Sequence, residues 1–160
     1  MDAIVAVTDD WGIGSDGTQS IVLKADREFF RAMTKGAAII VGRRTLEDFP
    51  CGKPLKDRVN IVVTRRDIEV EDAIVVHTTE EATELAAKYD RCMVVGGASI
   101  YMQFFPDLER IYVTKINTHA PSTAFFPNLD RNPAFEIEYE GEEQEENGIP
   151  FRFCTYKRIE

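Results

Sequence analysis

Six short runs of apolar, largely β-branched residues punctuate the chain, at 3–7, 37–41, 59–63, 73–76, 92–95 and 111–116. Most of them do not alternate polar with apolar. A strand that is apolar on both sides must be covered on both sides, which is the condition of a parallel sheet with helices above and below it. Helical patterns lie between the runs. Residues 25–35 carry Phe29, Phe30 and Met33 at helical spacing, and Gly36 follows as a stop. Thr78 and Glu81 form a capping-box pair ahead of residues 82–87. Residues 98–105 make a shorter helix closed by Pro106. The predicted fold is α/β, a twisted and mostly parallel sheet flanked by helices. The end of the chain differs. Residues 135–139 and 151–156 alternate, which predicts a half-exposed antiparallel hairpin. The acidic stretch 141–148 between them reads as a solvated turn, with a partner surface as the weaker alternative.

The 160 residues suffice for one domain, 1–160, with a core of its own, and 44% apolar residues argue against disorder. A net charge of −9 argues against a dedicated nucleic-acid or membrane-surface protein. No apolar run approaches the roughly 20 residues that span a bilayer. Residues 1–5 lack a basic region, which predicts no secretory leader. Cys51, Cys92 and Cys154 are odd in number and widely spaced, so neither a disulfide framework nor a zinc site is indicated, and a cytoplasmic setting follows.

Two strand ends carry chemistry. Residues 39–41 run into Gly42, Arg43, Arg44 and Thr45, where a helix is expected to start at Thr45. Free backbone N–H groups at a helix start attract anions, glycine admits a ligand close to the backbone, and paired arginines offer fork-shaped donors to phosphate. A solvated arginine pair on a loop is the plainer alternative. Residues 93–95 run into Gly96, Gly97, Ala98, Ser99, Ile100 and Tyr101, which is either a second such cradle or a tight packing turn. Two cradles in one sheet suit the pyrophosphate of a dinucleotide and one further phosphate. Thr64, Arg65 and Arg66 add a third basic strand end. Residues 24–66 hold eleven of the nineteen basic residues, and arginine near a ribose 2′-position marks NADP sites. Gly12, Ile13 and Gly14 do not continue as GxGxxG, so the standard dinucleotide fingerprint is absent. His77 and His119 have no Ser, Cys or carboxylate partner in sequence and read as surface or capping residues. Asp26 opens the Phe29–Phe30 helix behind Ile21, Val22 and Leu23. It is either a first-turn residue suited to the helix dipole or a carboxylate whose apolar setting lets it hold a proton.

These pieces, in this order, resemble the dihydrofolate reductase family over nearly the whole chain. The matching residues are Ile4 to Val7; Ile13 and Gly14 with Asp16 and Gly17; Ala25 and Asp26 with Phe29 and Phe30; Val41 to Thr45 with Glu47; Pro54 and Leu55 with Arg58 and Asn60; Val94 to Gly97 with Ile100 and Tyr101; Tyr112 to Thr114; and Phe126 with Pro127. The resemblance implies an NADPH-dependent reductase that delivers hydride to C6 of dihydrofolate while a proton reaches N5. It makes Asp26 the active-site carboxylate, bonded to the pterin amidine edge and supported by the Thr114 hydroxyl. It gives the pterin and aminobenzoyl pocket to Phe30, Phe49, Leu55 and Val95, with Ile4, Val5 and the Val95 backbone facing the pterin. Arg58 would pair with the α-carboxylate of the glutamate tail. Ala6, Ile13 and Gly14 would neighbour the nicotinamide. Gly42, Arg43, Arg44, Thr45, Thr64 and Arg65 would hold the adenosine phosphates, and Gly96 to Tyr101 the pyrophosphate and nicotinamide side. The implied partners are NADPH and a small-molecule folate, with no metal, no nucleic acid and no membrane, and the expected state is a monomer.

The chain departs from that pattern in two places. Ser20 and Ile21 stand where the family usually has Pro-Trp before the carboxylate, and Trp11 is no obvious substitute. Ser122, Thr123 and Ala124 stand where the family usually has Gly-Asp-Thr before Phe-Pro. Both departures touch one loop–loop contact over the nicotinamide. The alternatives are a pyrimidine reductase of riboflavin biosynthesis, with a phosphoribosyl substrate, and a non-catalytic NADP- or folate-binding module. Asp26 together with Arg58 favours folate.

Overall fold

The computed structural model describes residues 1–15 and 18–160. Asp16 and Gly17, one of the matching pieces above, lie outside the described residues. The strands are β1 (Asp2–Val7), β2 (Gly12–Gly14), β3 (Ala38–Gly42), β4 (Val59–Val63), β5 (Ala73–Val76), β6 (Cys92–Gly96), β7 (Arg110–Ile116), β8 (Ala124–Phe125), β9 (Phe135–Glu140), β10 (Gln144–Glu146) and β11 (Ile149–Arg158). The α-helices are α1 (Lys24–Thr34), α2 (Arg43–Glu47), α3 (Thr79–Ala86) and α4 (Ala98–Phe104).

Among the described residues, one large sheet runs in the order β10-β11-β7-β1-β6-β3-β4-β5, with β9 also paired to β11. From β7 to β5 every pairing is parallel, while β11 is antiparallel to β7, β9 and β10. The apolar runs now have their reason. Ala38 and Ile40 face a core shared with Ala82 and Ala86 of α3 and Phe104 of α4. Ile39 and Val41 face the other way, against Phe29, Phe30 and Met33 of α1 and Leu46 of α2. Strand β3 therefore buries both faces, which is why alternation is missing from its sequence. No helix among the described residues is long and apolar enough to cross a membrane.

The chain leaves β1, crosses through α1 to β3, and later returns to place β6 in the gap between them. Connections diverge from the carboxyl ends of the strands at such a switch point, and a crevice opens there. Thr78 accepts a hydrogen bond from the Glu81 backbone N–H at 3.1 Å and starts α3 as expected.

Two expectations need correction. Helix α2 starts at Arg43 rather than Thr45, so both arginines belong to its first turn. The stretch 141–148 is not simply a solvated turn. It contains β10, joined to β11 by a tight turn in which Asn147 and Gly148 have φ of 51° and 80°. Asn-Gly is a strong signal for a two-residue hairpin, and the acidic composition around it concealed the strand.

Candidate active site

One cleft of about 1020 Å³ opens across the carboxyl ends of the central strands. Every residue named above as a site candidate lines it, except Thr114. Thr114 is wholly buried behind Asp26 and donates its hydroxyl to Asp26 Oδ1 at 2.6 Å. Asp26 is the third residue of α1 and only 9% exposed. Burial pushes its carboxyl above the ordinary value, against hydrogen bonds from Thr114 and Gln19 that favour the ionised form, and nearby Glu146 adds to the rise. Phe30, one turn further on the same helix, shares the wall with Phe49 and Leu55. Leu55 is pinned from behind by the buried Asn60 amide, which accepts from Leu55 N at 3.0 Å and donates to Leu55 O at 2.9 Å. Arg58 donates through Nε to Thr34 Oγ1 at 2.8 Å and through Nη2 to the Arg31 carbonyl at 3.2 Å. It makes no ion pair among the described residues, so its charge remains available to a ligand.

The other half of the cleft is built for close backbone approach. A Cβ on Gly42 would lie 2.9 Å from Ile100 Cγ1, and one on Gly97 would lie 3.1 Å from Thr45 Oγ1. The strand ends of β3 and β6 and the helices α2 and α4 thus meet with little room for a Cβ. Tyr101 anchors α4 to the sheet by donating its buried hydroxyl to the Ile4 carbonyl at 2.6 Å. Arg43 is ion-paired with Glu47 one turn along α2. Arg44, Thr64, Arg65 and Arg66 share this wall with His77, whose Nδ1 lies 2.8 Å from the Thr64 carbonyl. Cationic side chains, free helix-start N–H groups and Cβ-free backbone together fit a phosphorylated dinucleotide.

The departures from the family pattern meet in space. Gly14 N donates to Ser122 Oγ at 3.2 Å, Thr123 N donates to the Gly14 carbonyl at 3.1 Å, and β2 pairs with β8. Ser20 donates its hydroxyl to the Pro121 carbonyl at 3.0 Å. Ile21 packs against Ala6, Leu23, Ile116 and Phe151. The loop–loop contact is therefore made by hydroxyls and backbone instead of an Asp. Trp11 does not line the cleft; it is buried against Phe126 and Tyr156 in the core.

Several lining residues were not singled out in the sequence. Gln19, Arg27, Arg31 and Asp48 all face the cleft, and so does His77, which the sequence suggested was a surface or capping residue. Arg31 stands one helical turn from Arg27, a spacing that could have been read once Asp26 and Phe30 were placed on a cleft face. Gln19 gave no such signal, because it lies in irregular chain. His119 acquires carboxylate partners only through folding, with Nδ1 at 3.2 Å from Asp9 and 3.9 Å from Asp10.

Comparisons with known proteins follow the same lines. The family model described as dihydrofolate reductase matches residues 1–158. A dihydrofolate reductase of Staphylococcus haemolyticus is 34% identical over 158 residues, covering 98% of this chain and 94% of its own. One from Haemophilus influenzae is 34% identical over 157 residues, covering 97% and 96%. A solved structure of dihydrofolate reductase from Enterococcus faecalis, complexed with NADP(H) and RAB-propyl, superposes with a TM-score of 0.87 at 30% identity, covering 99% of this chain and 96% of that one.

Proposed function

The chain belongs to the dihydrofolate reductase family, and from that premise we propose how its cleft divides the work of reducing 7,8-dihydrofolate to 5,6,7,8-tetrahydrofolate. Bound NADPH supplies the hydride for C6 of the pterin. Gly42, Arg43, Arg44, Thr45, Thr64 and Arg65 hold the adenosine phosphates, and the Gly96–Tyr101 segment takes the pyrophosphate and nicotinamide side. Ala6, Ile13 and Gly14 border the nicotinamide. Asp26 receives the pterin amidine edge and holds the proton destined for N5, with Thr114 fixing its orientation. Ile4, Val5, Phe30, Phe49, Leu55 and Val95 enclose the ring system and exclude water, and Arg58 takes the α-carboxylate of the tail. The protein aligns two rings and excludes solvent, so one carboxylate suffices. We further propose that residues 1–160 act as one domain, as a monomer in the cytoplasm.

The observation that carries this reading is Asp26: a carboxylate held by a buried hydroxyl and opening into a cleft whose other wall is a glycine and arginine cradle. Asp26→Asn should lower turnover of dihydrofolate at neutral pH by about 100-fold or more, the range of a lost acid–base group. Its NADPH affinity, read by fluorescence titration, should stay within about threefold of the unaltered protein. An Asn variant with unchanged rates across pH would remove Asp26 from the reaction. NADPH binding without any turnover of dihydrofolate would leave a binding module, and turnover of a phosphoribosyl pyrimidine alone would favour the riboflavin-type reductase.

A further inference from the structure

We propose that Glu146, at the tip of the C-terminal hairpin, is a positioning residue for the active site: it caps helix α1 from outside and keeps Asp26 able to hold a proton. This rests on the reading of Asp26 given above. Helix α1 has no cap of its own. Its N-cap position is Leu23, which offers no side-chain acceptor and is 2% exposed in a small apolar cluster. Glu146 fills the role. Its Oε2 accepts from Lys24 N at 2.7 Å and its Oε1 from Ala25 N at 3.0 Å, so one carboxylate takes two consecutive free N–H groups. These are the two residues immediately before Asp26. Apolar contacts seat the hairpin there, since Phe151, Ile149 and Phe153 pack in the cluster that holds Leu23, Ile21 and Ala25.

The electrostatic consequence has a definite sign. A bare helix N-terminus carries partial positive charge and favours an ionised carboxylate in its first turn. Glu146 cancels part of that charge and adds a full negative one, and both effects make ionisation of Asp26 harder. The other groups facing Asp26 are few. Thr114 on β7 and Gln19 on the loop after β2 donate to it and favour ionisation. Tyr101 on α4 feels its charge. Lys24 and Arg27 are the charged residues nearest it in sequence on α1. Among these neighbours Glu146 is the one that supplies a negative charge against ionisation. A hairpin more than 120 residues away in sequence thus reaches the first turn of the catalytic helix.

The test uses the intact protein with NADPH bound, which also stabilises weakened variants. Glu146→Gln keeps the side-chain shape and removes the charge. Glu145→Gln removes an exposed charge from the same strand and leaves the cap intact. The pH profile of hydride transfer should move down by roughly 0.5 pH unit in Glu146→Gln, or roughly threefold in rate above the midpoint, and stay in place in Glu145→Gln. A purely structural cap would lower the melting temperature and leave the midpoint where it was. An unmoved midpoint, or an equal shift in both variants, overturns the proposal. Glu146→Asp keeps the charge on a shorter stem, and its midpoint should lie nearer that of the unaltered protein than that of Glu146→Gln. A midpoint displaced as far as that of Glu146→Gln also overturns the proposal. Asp26→Asn separates the two readings. If the same pH limb survives in that variant, the assignment of Asp26 fails; if the limb is lost there but Glu146→Gln leaves it unmoved, only the inference about Glu146 fails.

Discussion

Asp26 works against the fold it belongs to. Burial raises its folded-state pKa above the ordinary value. The stability it allows is therefore fully present below the unfolded pKa of about 3.9 and is lost as pH rises through the folded value. Near neutrality the protein keeps a carboxylate that its surroundings would rather see protonated, which is the property that the proposed role of holding a proton for N5 requires. Thr114 limits that penalty, because its hydroxyl donates to the ionised form at 2.6 Å. Thr114→Val keeps the shape and deletes the donor. It should move the pH limb of hydride transfer upward, opposite to the change expected at Glu146. It should also cost about 1–3 kcal/mol in denaturant unfolding at neutral pH, where an ionised carboxylate has lost a partner. A limb that stays in place in Thr114→Val would mean that the hydroxyl orients the carboxyl without tuning it.

At the scale of elements, the cofactor half is a matter of how closely α2, α4 and the ends of β3 and β6 can approach. Gly42 is the tightest point, with Ile100 Cγ1 2.9 Å from where a Cβ would stand. Gly42→Ala should force α4 outward, weaken NADPH binding about tenfold or more, and cost about 1–3 kcal/mol of stability, the usual range for overpacking. Isothermal titration and thermal melts would read the two effects, and unchanged NADPH affinity would mean that the cradle does not depend on this approach. The same elements show what sequence can and cannot reveal. Strands β3 and β6 are legible because they bury both faces and so stay apolar throughout. Asp26 was ambiguous by composition, since burial and the bond to Thr114 depend on β7, 88 residues away. Strand β10 was hidden because its residues are acidic and its role is to reach α1, not to fill a core. Gln19 carries no signal in sequence, and His77 reads there as a surface or capping residue, because only the fold brings loop and strand end to one wall.

For the molecule as a whole, a net charge of −9 and a ligand carrying phosphates conflict only if charge is averaged. It is not averaged here. Eleven of the nineteen basic residues fall between 24 and 66, and seven of them, Arg27, Arg31, Arg43, Arg44, Arg58, Arg65 and Arg66, line one cleft. Acidic side chains collect instead on β9, β10 and the turn between them. A cleft of one sign in a body of the other draws small anions inward while the remaining surface repels large ones. On the proposed assignment, selection of NADPH over NADH rests on local cations meeting the extra phosphate, and such contacts weaken as salt screens them. Arg43 already pairs with Glu47 across a partly open helix face, so it can exchange that carboxylate for a phosphate at little cost. Arg43→Ala should weaken NADPH about tenfold, the loss expected of one charge-assisted contact, and NADH by less than about threefold. In the unaltered protein the preference for NADPH should shrink as ionic strength rises, and in Arg43→Ala the slope of that dependence should be shallower. Equal losses for the two cofactors, or a preference indifferent to salt, would place the 2′-phosphate elsewhere on the basic wall.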